Sequence, residues 1–163
     1  MKAIKMMHTF VESDDLERVR ASQENISALL KHRELNYEHF QVGEIPSEWV
    51  SLKRSHMRKF VIFYCHGGGY NTGSFHYARS ITNKLSSTTS MDVLSFDYRL
   101  APEHPYPSAT EDALAVWDYL MHLGYGARDV IVAGDSAGGN LALSLVLKLK
   151  EQKRILPRGL ILF

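Results

Sequence analysis

Cysteine is nearly absent from this sequence: Cys65 stands alone among 163 residues, which excludes an internal disulfide and a thiolate metal cluster. Neither sign of charge is in excess. With 19 Lys and Arg against 18 Asp and Glu, the net charge is +1, and nothing in that balance points to nucleic acid or an acidic membrane as a partner. No apolar run approaches the ~20 residues that span a bilayer. The segment Met1 to Phe10 carries Lys2 and Lys5 but lacks the long apolar stretch of a secretion signal, so the expectation is a soluble, cytoplasmic protein. Internal repeats, low-complexity blocks and Pro/Gly/Ser-rich linkers are missing too, which leaves one domain. What is present is globular in kind: 45% hydrophobic and 23% charged residues argue against disorder and a fibre. A chain of this length can bury roughly 70% of its unfolded surface.

The apolar pattern changes character along the chain. A helix is expected from about Asp14 to His32, with Leu16, Val19, Ile26, Leu29 and Leu30 in a stripe and Ser13 or Asp14 as its cap. Tyr37 to Arg54 reads as extended or irregular, punctuated by Gly43 and Pro46. From Phe60 onward strands and helices alternate. Phe60 to Cys65 is a continuous apolar run, as for a strand buried on both faces. A helix follows with Tyr77, Ile81 and Leu85 in step, then a short strand from Asp92 to Phe96. Beyond a Pro-rich loop, Ser108-Ala109-Thr110-Glu111 has the form of a capping box and opens a helix with Ala113, Val116, Trp117 and Leu120 on one face. A strand over Asp129 to Ala133, a helix over Ala137 to Lys150 and a strand over Gly159 to Phe163 complete the series. Such alternation predicts an α/β fold with a parallel sheet between layers of helix.

Two motifs carry chemistry. Gly134-Asp135-Ser136-Ala137-Gly138 is a G-x-S-x-G between strand and helix. A serine on so tight a turn has its Oγ exposed above the carboxyl edge of the sheet. Flanking glycines let backbone pass close by, and the helix N-terminus offers free amides to negative charge. The plain alternative is a glycine-rich turn with an ordinary serine. The second motif, His66-Gly67-Gly68-Gly69, follows the first buried strand. Consecutive glycines let backbone N–H groups approach an oxyanion, each donor worth roughly 3–4 kcal/mol of barrier. The triplet fits neither G-x-G-x-x-G nor a P-loop, which makes nucleotide binding a weak competitor. His66 reads as a structural residue bonded to backbone, and Cys65 as a small buried hydrophobe.

With Asp97-Tyr98-Arg99-Leu100-Ala101-Pro102-Glu103 between them, these motifs resemble the hormone-sensitive-lipase-like branch of the α/β-hydrolases over about Phe60 to Leu143. The resemblance implies a three-layer α/β-hydrolase fold with a mostly parallel sheet. It also implies hydrolysis of short- to medium-chain acyl esters with Ser136 as nucleophile. Carried over by position, the oxyanion donors would be the N–H groups of Gly68, Gly69 and Ala137, supported by His66, Gly67, Gly134, Asp135 and Gly138. Asp97 and Arg99 would tie the loop that bears them to its neighbours, and Asp135 would point away from the nucleophile. Residues 1–45 would be an N-terminal cap segment, and 46–163 the core through the nucleophile elbow, together a single partial domain.

The sequence also departs from this family. In α/β-hydrolases the triad runs Ser, then Asp or Glu, then His, yet the residues after Ser136 include neither Asp nor His, and Glu151 is their sole carboxylate. The chain is therefore expected to be the front portion of an esterase, with the triad acid and base elsewhere. Of the eight histidines, His76 and His104 follow strand ends on the Ser136 side, and His8, His32, His39, His56 and His122 read as surface residues. Their spacings match no metal-ligand set, so no metal and no cofactor is expected. The final strand would be an unpaired apolar edge, with Leu141, Leu143, Leu145, Val146 and Leu147 making the preceding helix apolar nearly all round. A missing C-terminal half or self-association is expected to cover them. The competing functions are a catalytically inactive small-molecule-binding module of the same fold and a truncated product without a role of its own.

Overall fold

The computed structural model describes residues 13–27, 30–56 and 59–163. Along the chain these form α1 (Ser13–Ser27), β1 (Leu35–Val42), β2 (Ile45–Leu52), β3 (Val61–Cys65), α2 (Phe75–Thr89), β4 (Asp92–Phe96), α3 (Ser108–His122), β5 (Val130–Gly134), α4 (Ala137–Glu151) and β6 (Gly159–Leu162). The strands make one six-stranded sheet in the order β1-β2-β4-β3-β5-β6. β4, β3, β5 and β6 run parallel, whereas β1 and β2 form an antiparallel hairpin whose second strand is antiparallel to β4.

Every residue of β3 and β4 is buried, as central strands covered on both faces are; β3 is apolar throughout, whereas β4 also buries Asp92 and Ser95. Alternation then sorts their side chains between two layers. Val61, Phe63 and Cys65 pack with Val116, Trp117 and Leu120 of α3 and with Leu141 and Leu145 of α4. Ile62 and Tyr64 face Ala78 of α2 on the opposite side. The result is a three-layer α/β sandwich, with α1 resting on α2.

Of the two readings of the 37–54 stretch the extended one holds: it is a regular hairpin, with Gly43 at φ +62° in its turn and Val50 and Leu52 alternating inward. The sheet is therefore mixed and mostly parallel, as the resemblance implied. Helix α1 is described over Ser13–Ser27, and Leu30 to His32 are not helical; within its stripe Leu16 is buried and Val19 is exposed, while the Ile26 side chain and Leu29 lie outside the described residues, as do His8 and the segment Met1 to Phe10. The capping box does not form. The Ser108 hydroxyl donates to the Pro105 carbonyl at 2.8 Å, and Glu111 accepts from Arg99 at 3.2 Å. In α2 the deeply buried face is Ala78, Arg79, Thr82 and Ser86, with Ile81 and Leu85 at its flank.

That polar face is explained by a buried ion pair. Glu48 of β2 and Arg79 of α2 have side chains 0% and 1% exposed; Arg79 Nη2 donates to Glu48 Oε2, its Nε reaches both carboxylate oxygens at 3.2 Å, and the guanidinium lies 4.8 Å from the Tyr37 ring centre. Neither charge is tolerable there without the other. Arg79→Met is therefore expected to lower unfolding free energy by about 3–5 kcal/mol, with the double variant Glu48→Gln/Arg79→Met recovering most of it. Urea denaturation of the three proteins checks this.

Candidate active site

β3 and β5 are neighbours in parallel register, with Cys65 opposite Gly134, so both G-rich motifs leave the same sheet edge side by side. Contact there is backbone on backbone. A Cβ on Gly138 would lie 2.2 Å from the Cys65 carbonyl oxygen and 2.4 Å from that of His66, and one on Gly134 would lie 2.3 Å from the Gly138 oxygen. Only hydrogen at these positions lets the two turns close.

Ser136 sits between them at φ 52° and ψ −120°, a conformation that costs a non-glycine residue on the order of 1–3 kcal/mol. It is exposed, and its Oγ has no hydrogen-bond partner among the described residues. The bend is pinned from the far side: Ser136 N–H donates to the Phe163 carbonyl at 3.1 Å, and Phe163 N–H to Gly134 at 3.0 Å. Helix α4 starts at the next residue.

Asp135 points back under the glycine turn. Its Oδ1 accepts from Tyr64 Oη at 2.7 Å and from Gly67 N–H at 2.9 Å. Burial, then the hydrogen bond to Asp135 and its charge, hold the Tyr64 phenol protonated far above its ordinary range. His66 is fully buried and stacks on Tyr98 with ring centres 4.2 Å apart. Its Nδ1 lies 2.7 Å from the Gly67 carbonyl oxygen, so that nitrogen carries the proton. Gly68 and Gly69 adopt φ +120° and +64°. Among the described residues, the N–H groups of Gly68, Gly69 and Ala137 are paired with no acceptor.

The surrounding loops are tied down by charge. Asp97 Oδ1 accepts the Phe75 N–H at 2.5 Å, at the start of α2. Arg99 donates from its backbone and its Nε to Asp112 at 2.8 and 2.9 Å, which raises the guanidinium's pKa above its ordinary value. A cavity of about 220 Å³ opens beside the elbow, lined among others by Tyr70, Arg99, His104, Tyr106, Asn140 and Ser144; Ser136 is not part of its lining. The Tyr70 phenol, pushed up to about 12 by burial, donates to Asn140 Oδ1 at 2.8 Å across one wall. Burial pushes the Cys65 thiol up as well, which removes it as a nucleophile.

Most described histidines are engaged elsewhere. His56, expected at the surface, has a side chain 5% exposed; its Nε2 lies 2.6 Å from Asp92 Oδ1. His122 bonds the Asp118 carbonyl at 2.7 Å. His39, Glu48 and His76 bring three potential ligand atoms within 4.8 Å of one another, a juxtaposition the sequence spacing did not reveal. Arg79 Nη2, however, bonds Glu48 Oε2 and lies 3.1 Å from His39 Nε2. A permanent cation already holds the place a metal would take.

Tyr64 and Arg20 were missed in the sequence. A tyrosine inside a fully buried strand signals a hydroxyl needing a partner; Arg20, one charged residue among several on the first helix, carried no signal. Its guanidinium donates to Glu103 Oε1 and Oε2 at 2.8 and 3.0 Å, which holds that carboxyl down at about 2. Because the folded value lies below the ordinary 4.5, the pairing contributes stability above that pH and loses it as pH falls toward 2. A carbon-13 titration is expected to show Glu103 with a midpoint near 2, returning close to the ordinary value in Arg20→Ala.

Residues 62–163 match a family model described as an alpha/beta hydrolase fold. An esterase of Acinetobacter venetianus is 46% identical over 102 residues, which cover 63% of this chain and 34% of that protein. A crystal structure of EstE5 soaked with p-nitrophenyl butyrate superposes with TM-score 0.85 at 32% identity, over 95% of this chain and 51% of that one. An esterase from the bacterial hormone-sensitive lipase family superposes with TM-score 0.85 at 28% identity, over 98% of this chain and 53% of that one. The chain thus spans about a third of the length of that curated relative and half of the solved chains.

Proposed function

The chain belongs to the α/β-hydrolase fold family, and from that premise we propose that it is the nucleophile-bearing part of a carboxylic-ester hydrolase. One observation supports this above the others: an exposed serine on a left-handed bend shares a sheet edge with the acceptor-free N–H groups of Gly68, Gly69 and Ala137. In this reading Ser136 Oγ attacks the ester carbonyl carbon. The carbonyl oxygen becomes an oxyanion held by those three amides at the N-terminal end of α4. The alcohol leaves with a proton, and water then hydrolyses the acyl ester on Ser136.

Asp135, Gly67, His66, Gly134 and Gly138 hold the two turns together and do not touch the reacting atoms. The base that takes the Ser136 proton is a histidine outside the described residues, oriented by a carboxylate. His66 and His56 are committed to other partners. Short acyl esters are the substrate class; the butyrate ester used with EstE5 belongs to it. Among the described residues of the 1–45 segment, α1 acts as a cap, whereas β1 is a strand of the sheet. The edge of β6 and the outer face of α4, where Leu147, Ile161, Leu162 and Phe163 are exposed, take up further polypeptide of the same fold. No helix among the described residues is long and apolar enough to cross a membrane.

A second reading, a binding module without turnover, is favoured by the cavity's separation from Ser136. One experiment separates the two. Without its base a serine hydrolase loses on the order of 10⁶ in turnover, so free imidazole is supplied as a substitute. Imidazole is expected to raise p-nitrophenyl butyrate hydrolysis by the wild-type chain well above that by Ser136→Ala under the same conditions. Equal rates for the two proteins would reject the esterase reading, and saturable butyrate binding alongside equal rates would establish the second.

A further inference from the structure

We propose that Arg20 of α1 is a positioning residue for the oxyanion-binding turn, acting on the Gly69 N–H through two peptide groups in series; the inference rests on the esterase reading above. The path is covalently and geometrically continuous. Arg20 Nε donates to the Asn71 carbonyl oxygen at 2.8 Å. That carbonyl shares its peptide with the Thr72 N–H, which donates to the Gly68 carbonyl oxygen at 2.9 Å. The Gly68 carbonyl in turn shares its peptide with the Gly69 N–H, one of the three amides without an acceptor. In a planar trans peptide the C=O and N–H point in opposite directions, so each hydrogen bond in the series aims the next donor. The line therefore runs from the guanidinium through Asn71–Thr72 and Gly68–Gly69 to the place where the oxyanion forms.

Two physical consequences follow. The first is orientation. Gly68 and Gly69 both have left-handed φ, at +120° and +64°, and glycine imposes no side-chain restraint on rotation of the peptide between them. Its direction must then come from what grips the Gly68 oxygen. Three donors do so: Thr72 N–H at 2.9 Å, Asn71 N–H at 3.2 Å and Thr72 Oγ1 at 3.0 Å. The second is polarisation. Hydrogen bonds in series strengthen one another by perhaps 10–30% each in low dielectric, and here a cation stands at the donor end. Arg20 is itself anchored, accepting no freedom at its far side: its Nη2 donates to the Ala101 carbonyl at 3.0 Å and its fork grips Glu103. The same side chain thus joins the loop after β3 to the loop after β4.

The test reads the donor directly. In proton–nitrogen spectra, Arg20→Met is expected to shift the Gly69 amide proton upfield, whereas the Ala137 amide, which lies off the series, stays in place. Arg20→Lys, retaining charge and a donor, is expected to restore much of the Gly69 position. In the imidazole-supplemented assay, Arg20→Met is expected to lower kcat on the order of tenfold at unchanged KM, less than the 10²–10³ lost when an oxyanion donor is removed outright. If the wild-type chain shows no Ser136-dependent hydrolysis, the esterase reading fails while the Gly69 resonance still decides the role of Arg20. Equal movement of Gly69 and Ala137, or movement of neither, would overturn the proposal and leave Arg20 as a dock for α1. Should Arg20→Met not fold, Arg20→Gln removes the same cation: Gly69 is expected to move upfield with Ala137 in place, and no movement of Gly69 would reject the series.

Discussion

Where β3 and β5 end, two backbones meet with no side chain between them. The carbonyls of Cys65 and His66 fill the space a Gly138 side chain would need, and Gly134 closes on the Gly138 carbonyl from the strand below. This close approach sets the rest of the edge. It brings the glycine turn against the first turn of α4, and it places Asp135 where one carboxylate oxygen reaches both Tyr64 and Gly67. It leaves Ser136 on a bend with its hydroxyl outward. A methyl group at Gly138 would push the turns apart and dissolve the arrangement of amides along with them.

Charge does the remaining work at a distance from the edge. The Glu48–Arg79 pair fastens the hairpin to α2, so the outer sheet strands do not slide against the helix layer. Arg99 and Asp112 fix the loop after β4 to α3, and Asp97 fixes the same loop to the start of α2. Arg20 spans both loops from the N-terminal helix. These contacts differ in burial: the Glu48 pair is sealed from water, while Glu103 is half exposed beside Arg20, where screening reduces such pairs to little net energy. The first holds the fold; the second directs geometry more than it adds stability.

Much of this was legible in the sequence, for identifiable reasons. A continuous apolar run marked β3 because a strand buried on both faces has no polar alternation to blur it. The elbow and the glycine triplet were readable because their geometry demands hydrogen at fixed positions. The hairpin was harder: β1 alternates charged and half-buried residues against an open edge, a pattern shared with irregular chain. The Ser108 box failed because the Arg99 fork competes for Glu111, and no local rule sees a partner from the preceding loop. The buried Arg79 and Glu48 were invisible for the same reason, since each alone looks like a surface residue.

In the proposed esterase the Gly68, Gly69 and Ala137 amides converge on one point beside Ser136 Oγ. A crystal structure of this chain grown in butyrate, whose carboxylate mimics the hydrolysis product, tests that convergence. One butyrate oxygen is expected at about 3 Å from all three nitrogens, with the carboxyl carbon facing the serine hydroxyl. Butyrate lodged only in the cavity beside Tyr70 and Asn140, with the three amides pointing in different directions, would contradict it.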